Sequence, residues 1–292
     1  MNKQNGALIS IISNTSLVIF KITSGLVMGS VSVLSEAIHS GIDLIASLVA
    51  YFSIRKSIEP ADSEHPYGHG KFENISGFFE AILIFVAAGM ILIEAFKKLL
   101  HPASVEKLDW GIAVMLISTV INAIVSIKLF SVAKKENSIA LEADAMHLSV
   151  DVFTSLGVLV GLIIIRFTGL NIIDPVIAVL VAGMILKASW DLTRKSLDDL
   201  ADKSLPESEL ALIKTIIAKY PQIKGFHKLR SRKSGNRREL DFHIKIDKST
   251  LLENAHNLCD LVEADIKKLL PNINILIHVE PMRIKEAENA IR

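Results

Sequence analysis

The sequence predicts an α-helical membrane domain with six transmembrane helices, followed by a small C-terminal α+β domain, and three observations carry this. Half of the 292 residues are hydrophobic and the mean hydropathy is +0.43, more apolar than an ordinary soluble domain. The apolar residues gather in long runs, such as 81–93 and 156–165, that stop near Arg194. Beyond about Pro206 the pattern changes to short alternations around one amphipathic stretch. The expected domains are therefore 1–203 and 204–284, with a short tail at 285–292.

A bilayer core of about 30 Å takes roughly 20 helical residues to cross. Six stretches qualify: 6–29, 32–54, 73–97, 109–132, 140–166 and 172–194. Met28-Gly29-Ser30 joins the first pair, a turn with Pro102 the third and fourth, and Thr168-Gly169-Leu170-Asn171 the last two. An even number of spans puts both termini on one side. Lys3, Arg55, Lys56, Lys71, Lys134, Lys135, Arg194 and Lys195 make that side the cytoplasm, against a smaller group, Lys97, Lys98 and Lys107, near the third connection. The first apolar run contains Asn14 and Lys21 and leads into further spans, which argues against a cleaved signal peptide.

In the C-terminal part the order is helix, strand, strand, helix, strand. Along 240–246 the apolar residues take one face, with Asp241, His243 and Lys245 on the other. Residues 273–280 repeat this, with His278 and Glu280 facing outward. Ser234-Gly235-Asn236 closes the hairpin, and Ala255, Leu258, Leu261, Val262 and Leu269 keep helical spacing. A formal charge of +1 argues against nucleic-acid binding. With Cys259 as the one cysteine, an intrachain disulfide and a Cys-rich zinc cluster are both excluded, so metal ligands would be His, Asp or Glu.

Ionisable side chains inside a span cost about 2.5–3.5 kcal/mol each on insertion scales and normally face a bundle interior or water path. Four are arranged alike: His39 precedes Asp43 by four residues, and His147 precedes Asp151 by four. That spacing sets each pair on one helical face, a turn apart. Two such faces meeting offer two imidazole nitrogens and two carboxylate oxygens, which suits four-coordinate zinc, whereas calcium and magnesium want more oxygens. One such pair could equally be an interhelical hydrogen-bonding device or a proton relay, but two pairs deep in separate spans favour the metal.

With these residues in view, the chain resembles the cation diffusion facilitators over nearly its full length. The likeness rests on His39-Ser40-Gly41-Ile42-Asp43, on His147 to Asp151, on His65-Pro66-Tyr67-Gly68-His69-Gly70-Lys71 and on the order of elements in the tail. The resemblance implies a ferredoxin-like αββαβ cytoplasmic domain and a homodimeric metal/proton antiporter whose intramembrane tetrahedral site takes Zn2+ or a related divalent ion. His39, at a position where the family has either Asp or His, leans toward zinc; iron, cobalt, cadmium and manganese stay open. The resemblance further implies an accessory metal site at Asp62, His65 and His69. It also implies a cytoplasmic centre at His227, His243, His256, His278 and Glu280, and a charge pair, Lys71 with Asp202, between bundle and tail. Glu280 departs from the family's frequent Asp, and a longer carboxylate would weaken or shift that centre. Solvated histidines and carboxylates are the plainer alternative for both polar clusters.

Eight of the nine histidines fall in these three clusters, and His101 is the exception. Lys21 would snorkel or neutralise a carboxylate. The basic group Arg230, Arg232, Lys233, Arg237 and Arg238 reads as a solvated turn, or else as an attraction to anionic lipid. Cys259 reads as a buried small hydrophobe. Metal ligation needs neutral imidazole and ionised carboxylate, so protons compete with metal at the same atoms. The expectation is a secondary transporter in a prokaryotic inner or plasma membrane, with metal ions, protons and lipid as its partners. No G-x-x-x-x-G-K-[ST] loop is present for ATP-driven pumping, and no His-Glu-x-x-His for a metalloenzyme. A non-transporting metal sensor or scaffold is the remaining alternative, but an anchor has no use for costly buried ligands.

Overall fold

The computed structural model describes residues 1–28, 31–100, 111–168 and 172–282. His101, Pro102, Lys107 and the tail 285–292 lie outside the described residues. The chain divides into two units, Met1–Leu197 and Asp198–Arg292.

The first unit is built from six long helices: α1 (Lys3–Met28), α2 (Val31–Ser57), α3 (Lys71–Leu100), α4 (Gly111–Glu136), α5 (Ile139–Thr168) and α6 (Ile173–Leu200), the last running just past the division. Five of them contain windows long and apolar enough to cross a membrane. α5 is as long, at 30 residues, but carries Glu142, Asp144 and Asp151 in its first half. The burial pattern is that of a bundle in lipid. Ile12, Ile19, Phe52, Ile127 and Phe167 face outward, whereas Ser10, Asn14, Ser47, Asp43, Asp144 and Asn122 are buried.

Inside the bundle, polar side chains bridge the helices, the expected glue where lipid removes the hydrophobic drive for association. Asn14 Nδ2 donates to Ser47 Oγ at 2.7 Å, and Ser47 Oγ donates to Asp144 Oδ1 at 2.9 Å, joining α1, α2 and α5. Ser126 Oγ on α4 donates to the Ala145 carbonyl at 2.8 Å. Nearer the termini, buried Glu73 accepts from Lys3 Nζ, from Ser57 Oγ at 2.7 Å and from Ser138 Oγ, tying α1, α2 and the start of α5 to α3. Gly77 permits a close crossing, since a Cβ there would stand 3.2 Å from Ser196 Oγ and 3.3 Å from Ile139 Cγ1.

The second unit runs α7 (Glu207–Ile217), β1 (Gly225–Ser234), β2 (Arg237–Ile246), α8 (Leu252–Leu269), β3 (Ile273–Pro281). The sheet order is β1-β2-β3, with β1 antiparallel and β3 parallel to β2. α8 is the crossover that a parallel pair requires. Gly235, at φ 60°, takes the first place of the two-residue hairpin turn, where only glycine is unstrained. Leu240, Phe242, Ile244 and Ile246 from β2 form one core with Ile213, Ile216 and Ile217 of α7 and with α8.

The α8 stripe differs from the sequence expectation. Ala255, Leu258, Cys259, Val262 and Ile266 are buried, while Leu261 and Leu269 are exposed. Steps of three and four from Ala255 reach Leu258, Cys259, Val262 and Ile266; Leu261 falls off that stripe, and Leu269, though in phase with it, is the last residue of α8. Burial pushes the Cys259 thiol up, as suits an inert core residue. Nor is the hairpin a simple solvated turn. Arg238 forms a fork to Glu209 with both bonds at 2.9 Å, Arg230 meets Asp241 at 2.8 Å, and Arg232 meets Asp202 at 3.0 Å. Three of its five cations are thus matched by carboxylates within the unit.

Candidate metal centres

Both His-x-x-x-Asp pairs lie in regular helix, and α2 packs against α5 so that the pairs converge. The pairing is crossed. His147 Nε2 is 2.7 Å from Asp43 Oδ1, while His39 Nε2 is 3.7 Å from Asp151 Oδ1 and 4.0 Å from Asp43 Oδ1. Each histidine is nearest the carboxylate of the other helix. His39, Asp43 and Asp151 can each offer one ligand atom within 4.8 Å of the others. Ligand atoms on a tetrahedral zinc at ~2.0 Å stand about 3.3 Å apart, close to the separations of His39 from Asp151 and Asp43, whereas His147 reaches the group through Asp43 and does not stand within the same limit of all three.

Asp43 is only 3% exposed and His147 8%. His39 is half-exposed, toward a cavity of about 180 Å³ lined by Lys21, His39, Ser118, Asn122, Asp151 and Thr154, among others. These residues belong to the later half of α1, the earlier halves of α2 and α4 and the middle of α5, so the cavity lies away from the end of the bundle that holds Lys3. Lys21 does not snorkel: it is buried and donates to Ser40 Oγ at 2.8 Å. A ring nitrogen and a carboxylate oxygen 2.7 Å apart share a hydrogen. A cation ligated by both His147 and Asp43 must displace that proton.

The turn between α2 and α3 gathers Asp62, His65 and His69 within the same 4.8 Å limit. Backbone N–H groups of His65 and Glu64 donate to Asp62 Oδ1 at 2.6 and 3.0 Å. The His65 bond is the main cause holding the Asp62 carboxyl below its usual range, so it stays an anion. His69 is 1% exposed; its Nδ1–H donates to the Pro60 carbonyl at 3.2 Å, leaving Nε2 with no hydrogen-bond partner among the described residues, 3.4 Å from Asp62 Oδ2. His65 Nδ1 is 3.5 Å from Asp62 Oδ1. Lone pairs facing one another at nearly the tetrahedral edge length fit a cation between them.

In the second unit, strand register builds the cluster. His227 pairs with His243 and His243 with His278, so three histidines form one row across β1, β2 and β3. A bulge between His227 and Arg230, where Lys228 takes φ 51°, sets the place of His227. Glu280 reaches across the row: Oε1 lies 2.8 Å from His243 Nδ1 and 3.9 Å from His278 Nε2, and Oε2 lies 3.4 Å from His227 Nε2. The extra methylene of Glu280 therefore does not take its carboxylate out of reach. The hydrogen bond from His243 is the main cause lowering the Glu280 carboxyl. His256 does not join this cluster within one chain. It sits on α8, 72% exposed on its side chain, beside Asp260 at 3.6 Å. α8 covers the face of the sheet that carries Phe242, and period-two alternation puts His243 on the opposite face.

Lys71 opens α3 in the first unit, and Asp202 in the second accepts from Arg232. The sequence reading passed over three polar residues. Asn122 on α4 donates to Asp151 Oδ2 at 3.3 Å. Asp144 lies one turn before His147, and Glu80 is buried on α3 with neither carboxylate oxygen hydrogen-bonded among the described residues. The insertion cost that marks His39, Asp43, His147 and Asp151 applies equally to Asp144 and Glu80, which lack only the repeated spacing, whereas Asn122 carries no charge and gives no such signal.

A polar-lined bundle with an imidazole–carboxylate set inside its spans, in one chain with an αββαβ unit bearing a second such set, defines a membrane protein whose sites suit metal cations. Residues 7–201 match the cation efflux transmembrane domain, and 205–282 the cytoplasmic domain of cation efflux proteins. The chain belongs to the cation diffusion facilitator family: it is a metal-cation efflux transporter with that family's dimerisation domain. An uncharacterized transporter of Synechocystis sp. is 36% identical over 257 residues, covering 88% of this chain and 83% of the relative. The cation-efflux pump FieF of Shewanella oneidensis is 30% identical over 276 residues, 94% of this chain and 93% of the relative. Among solved structures, the metal-bound C-terminal domain of the CzcD transporter from Thermotoga maritima is 25% identical, covers 26% of this chain and 94% of its own, and has a TM-score of 0.25.

Proposed function

We propose that this protein exports Zn2+ from the cytoplasm in exchange for protons, with His39, Asp43, His147 and Asp151 as the intramembrane transport site. The observation that carries the reading is the crossed convergence of the two His-x-x-x-Asp pairs, with His147 and Asp43 sharing a proton at 2.7 Å. Zinc accepts two nitrogens and two oxygens in a tetrahedron, and its binding releases the shared proton. Protonation from the other side then expels the ion, because neutral imidazole and carboxylate are needed to hold it. Fe2+, Co2+, Cd2+ and Mn2+ are the alternative cargoes of the same site.

The protein functions as a homodimer in the inner or plasma membrane of a prokaryotic cell with both termini in the cytoplasm, a placement supported by its bacterial relatives and by the distribution of Lys and Arg. The domains are 1–203 and 204–284. Asp62, His65 and His69 form an entry site beside the bundle, and His227, His243, His278 and Glu280 hold regulatory metal in the cytoplasm.

Proteoliposomes with an imposed pH gradient test the transport reading. Wild type takes up Zn2+ only with the gradient, and Asp43→Ala and Asp151→Ala do not. Gradient-independent uptake, or normal transport by both variants, refutes the antiport mechanism or the site. A series with the other four metals in the same vesicles decides the cargo. His243→Ala and His278→Ala each lower bound metal by calorimetry without abolishing flux; unchanged stoichiometry removes the cytoplasmic assignment.

A further inference from the structure

Asp151 has two oxygens, and the bundle gives each a different neighbour. Oδ1 faces His39 Nε2 at 3.7 Å, whereas Oδ2 accepts from Nδ2 of Asn122 on α4 at 3.3 Å. Asn122 is 5% exposed and lines the same cavity as His39 and Asp151. Its other polar atom, Oδ1, is buried with no hydrogen-bond partner among the described residues. This setting fixes the sense of the amide, since turning it over would set a carbonyl oxygen against a carboxylate.

An amide held in this way is poor packing. A buried carbonyl without a partner costs free energy that a leucine of similar volume would avoid. The cavity's hydroxyls behave differently: Ser118, Thr119 and Thr154 each donate to a carbonyl of their own helix. Asn122 instead crosses from α4 to the carboxylate on α5.

The oxygen that Asn122 holds is the one that sets coordination number. With one oxygen from Asp151, the two imidazoles and Asp43 complete a four-coordinate centre, which is what zinc takes. With both oxygens on the ion the number rises, toward the oxygen-rich octahedral surroundings that suit manganese. An N–H on Oδ2 occupies one of its lone pairs and draws off part of its charge, so Oδ1 is left as the better donor.

We propose that Asn122 is a specificity-determining positioning residue: by holding Oδ2 it limits Asp151 to one ligand oxygen and favours a four-coordinate ion such as Zn2+ over a six-coordinate one such as Mn2+. The proposal rests on the reading of His39, Asp43, His147 and Asp151 as the transport site. Asn122 itself does not touch the ion.

The test uses the full chain in a background carrying His69→Ala and His243→Ala, so that added metal titrates the intramembrane site. Asn122→Leu, close in volume and without a donor, binds Zn2+ about tenfold more weakly, as loss of a partner behind a ligand does. Mn2+ binding holds or tightens, so the preference for Zn2+ over Mn2+ falls at least about tenfold. Co2+ loaded as a reporter absorbs strongly in the visible when four-coordinate and weakly when six-coordinate. Its bands are strong in the background chain and weaken in Asn122→Leu. Asn122→Ala, read in parallel, gives the same two results if Asn122→Leu does not fold. An unchanged ratio of Zn2+ to Mn2+ affinity, whatever happens to either metal alone, overturns the proposal, as do Co2+ bands that stay strong. Asp151→Ala in the same background separates the two ideas: if it still binds Zn2+ normally, the transport site itself is wrongly assigned. If it loses Zn2+ while Asn122→Leu keeps the ratio and the bands, only the role of Asn122 falls.

Discussion

Replacing Asp43 by Asn tests the site at its most buried member. The substitution keeps the shape and removes one negative charge where Asp43 is 3% exposed, 2.7 Å from His147 Nε2 and 4.0 Å from His39 Nε2. Asp43 would act both as a ligand and as the group that fixes the tautomer and orientation of His147. Loss of an orienting partner alone typically weakens a metal site by about 10- to 100-fold. Losing a charged ligand with it puts the expected loss at about 100-fold or more, ~2.8 kcal/mol. Asp151→Asn should weaken binding less, because Asp151 is more exposed and already shares an oxygen with Asn122. The assay is equilibrium Zn2+ binding to the full chain with the loop and cytoplasmic clusters mutated. Binding by Asp43→Asn within about threefold of wild type would refute the crossed-pair geometry as a metal site.

Other outcomes follow from the same structure. His69→Ala should abolish the loop site by calorimetry, whereas His65→Ala should only weaken it, since the buried, unpartnered Nε2 belongs to His69; equal effects count against that geometry. The Glu280 carboxyl is lowered in the fold by His243, so its stabilisation is present above the ordinary glutamate range and is lost as pH falls through the lowered value. Glu280→Gln should therefore flatten the acid limb of the melting profile of the cytoplasmic domain and leave the profile above that range parallel to wild type; an unchanged acid limb refutes the pairing. Phe242→Ala empties the centre of the second unit, where Phe242 is 0% exposed, and should cost about 3–5 kcal/mol. Limited proteolysis should then cut within 204–282 at lower urea than in wild type, with the helical unit still resistant.

Several features were legible in the chain because they depend on local repetition. Hydropathy marked six long helices, since lipid admits only segments whose backbone is satisfied internally. Period-two alternation along 240–246 and 273–280 put His243, His278 and Glu280 on one face before any strand was paired. The four-residue spacing of His39 with Asp43 and of His147 with Asp151 marked two ligand faces.

What no local pattern could state is how separate faces meet. Crossed pairing, with His147 on Asp43 and His39 on Asp151, comes from the packing of α2 against α5, and the inward turn of Lys21 from the cavity that α1, α2, α4 and α5 enclose. His256 shares its residue type with the cytoplasmic cluster, but helix phase on α8 sends it to the other side of the sheet. By itself, then, the sequence determined the helices, the strands and the chemistry of the ligands. Tertiary structure alone decided which of those side chains come together, because distance between elements is set by packing and register rather than by the residues of any one element.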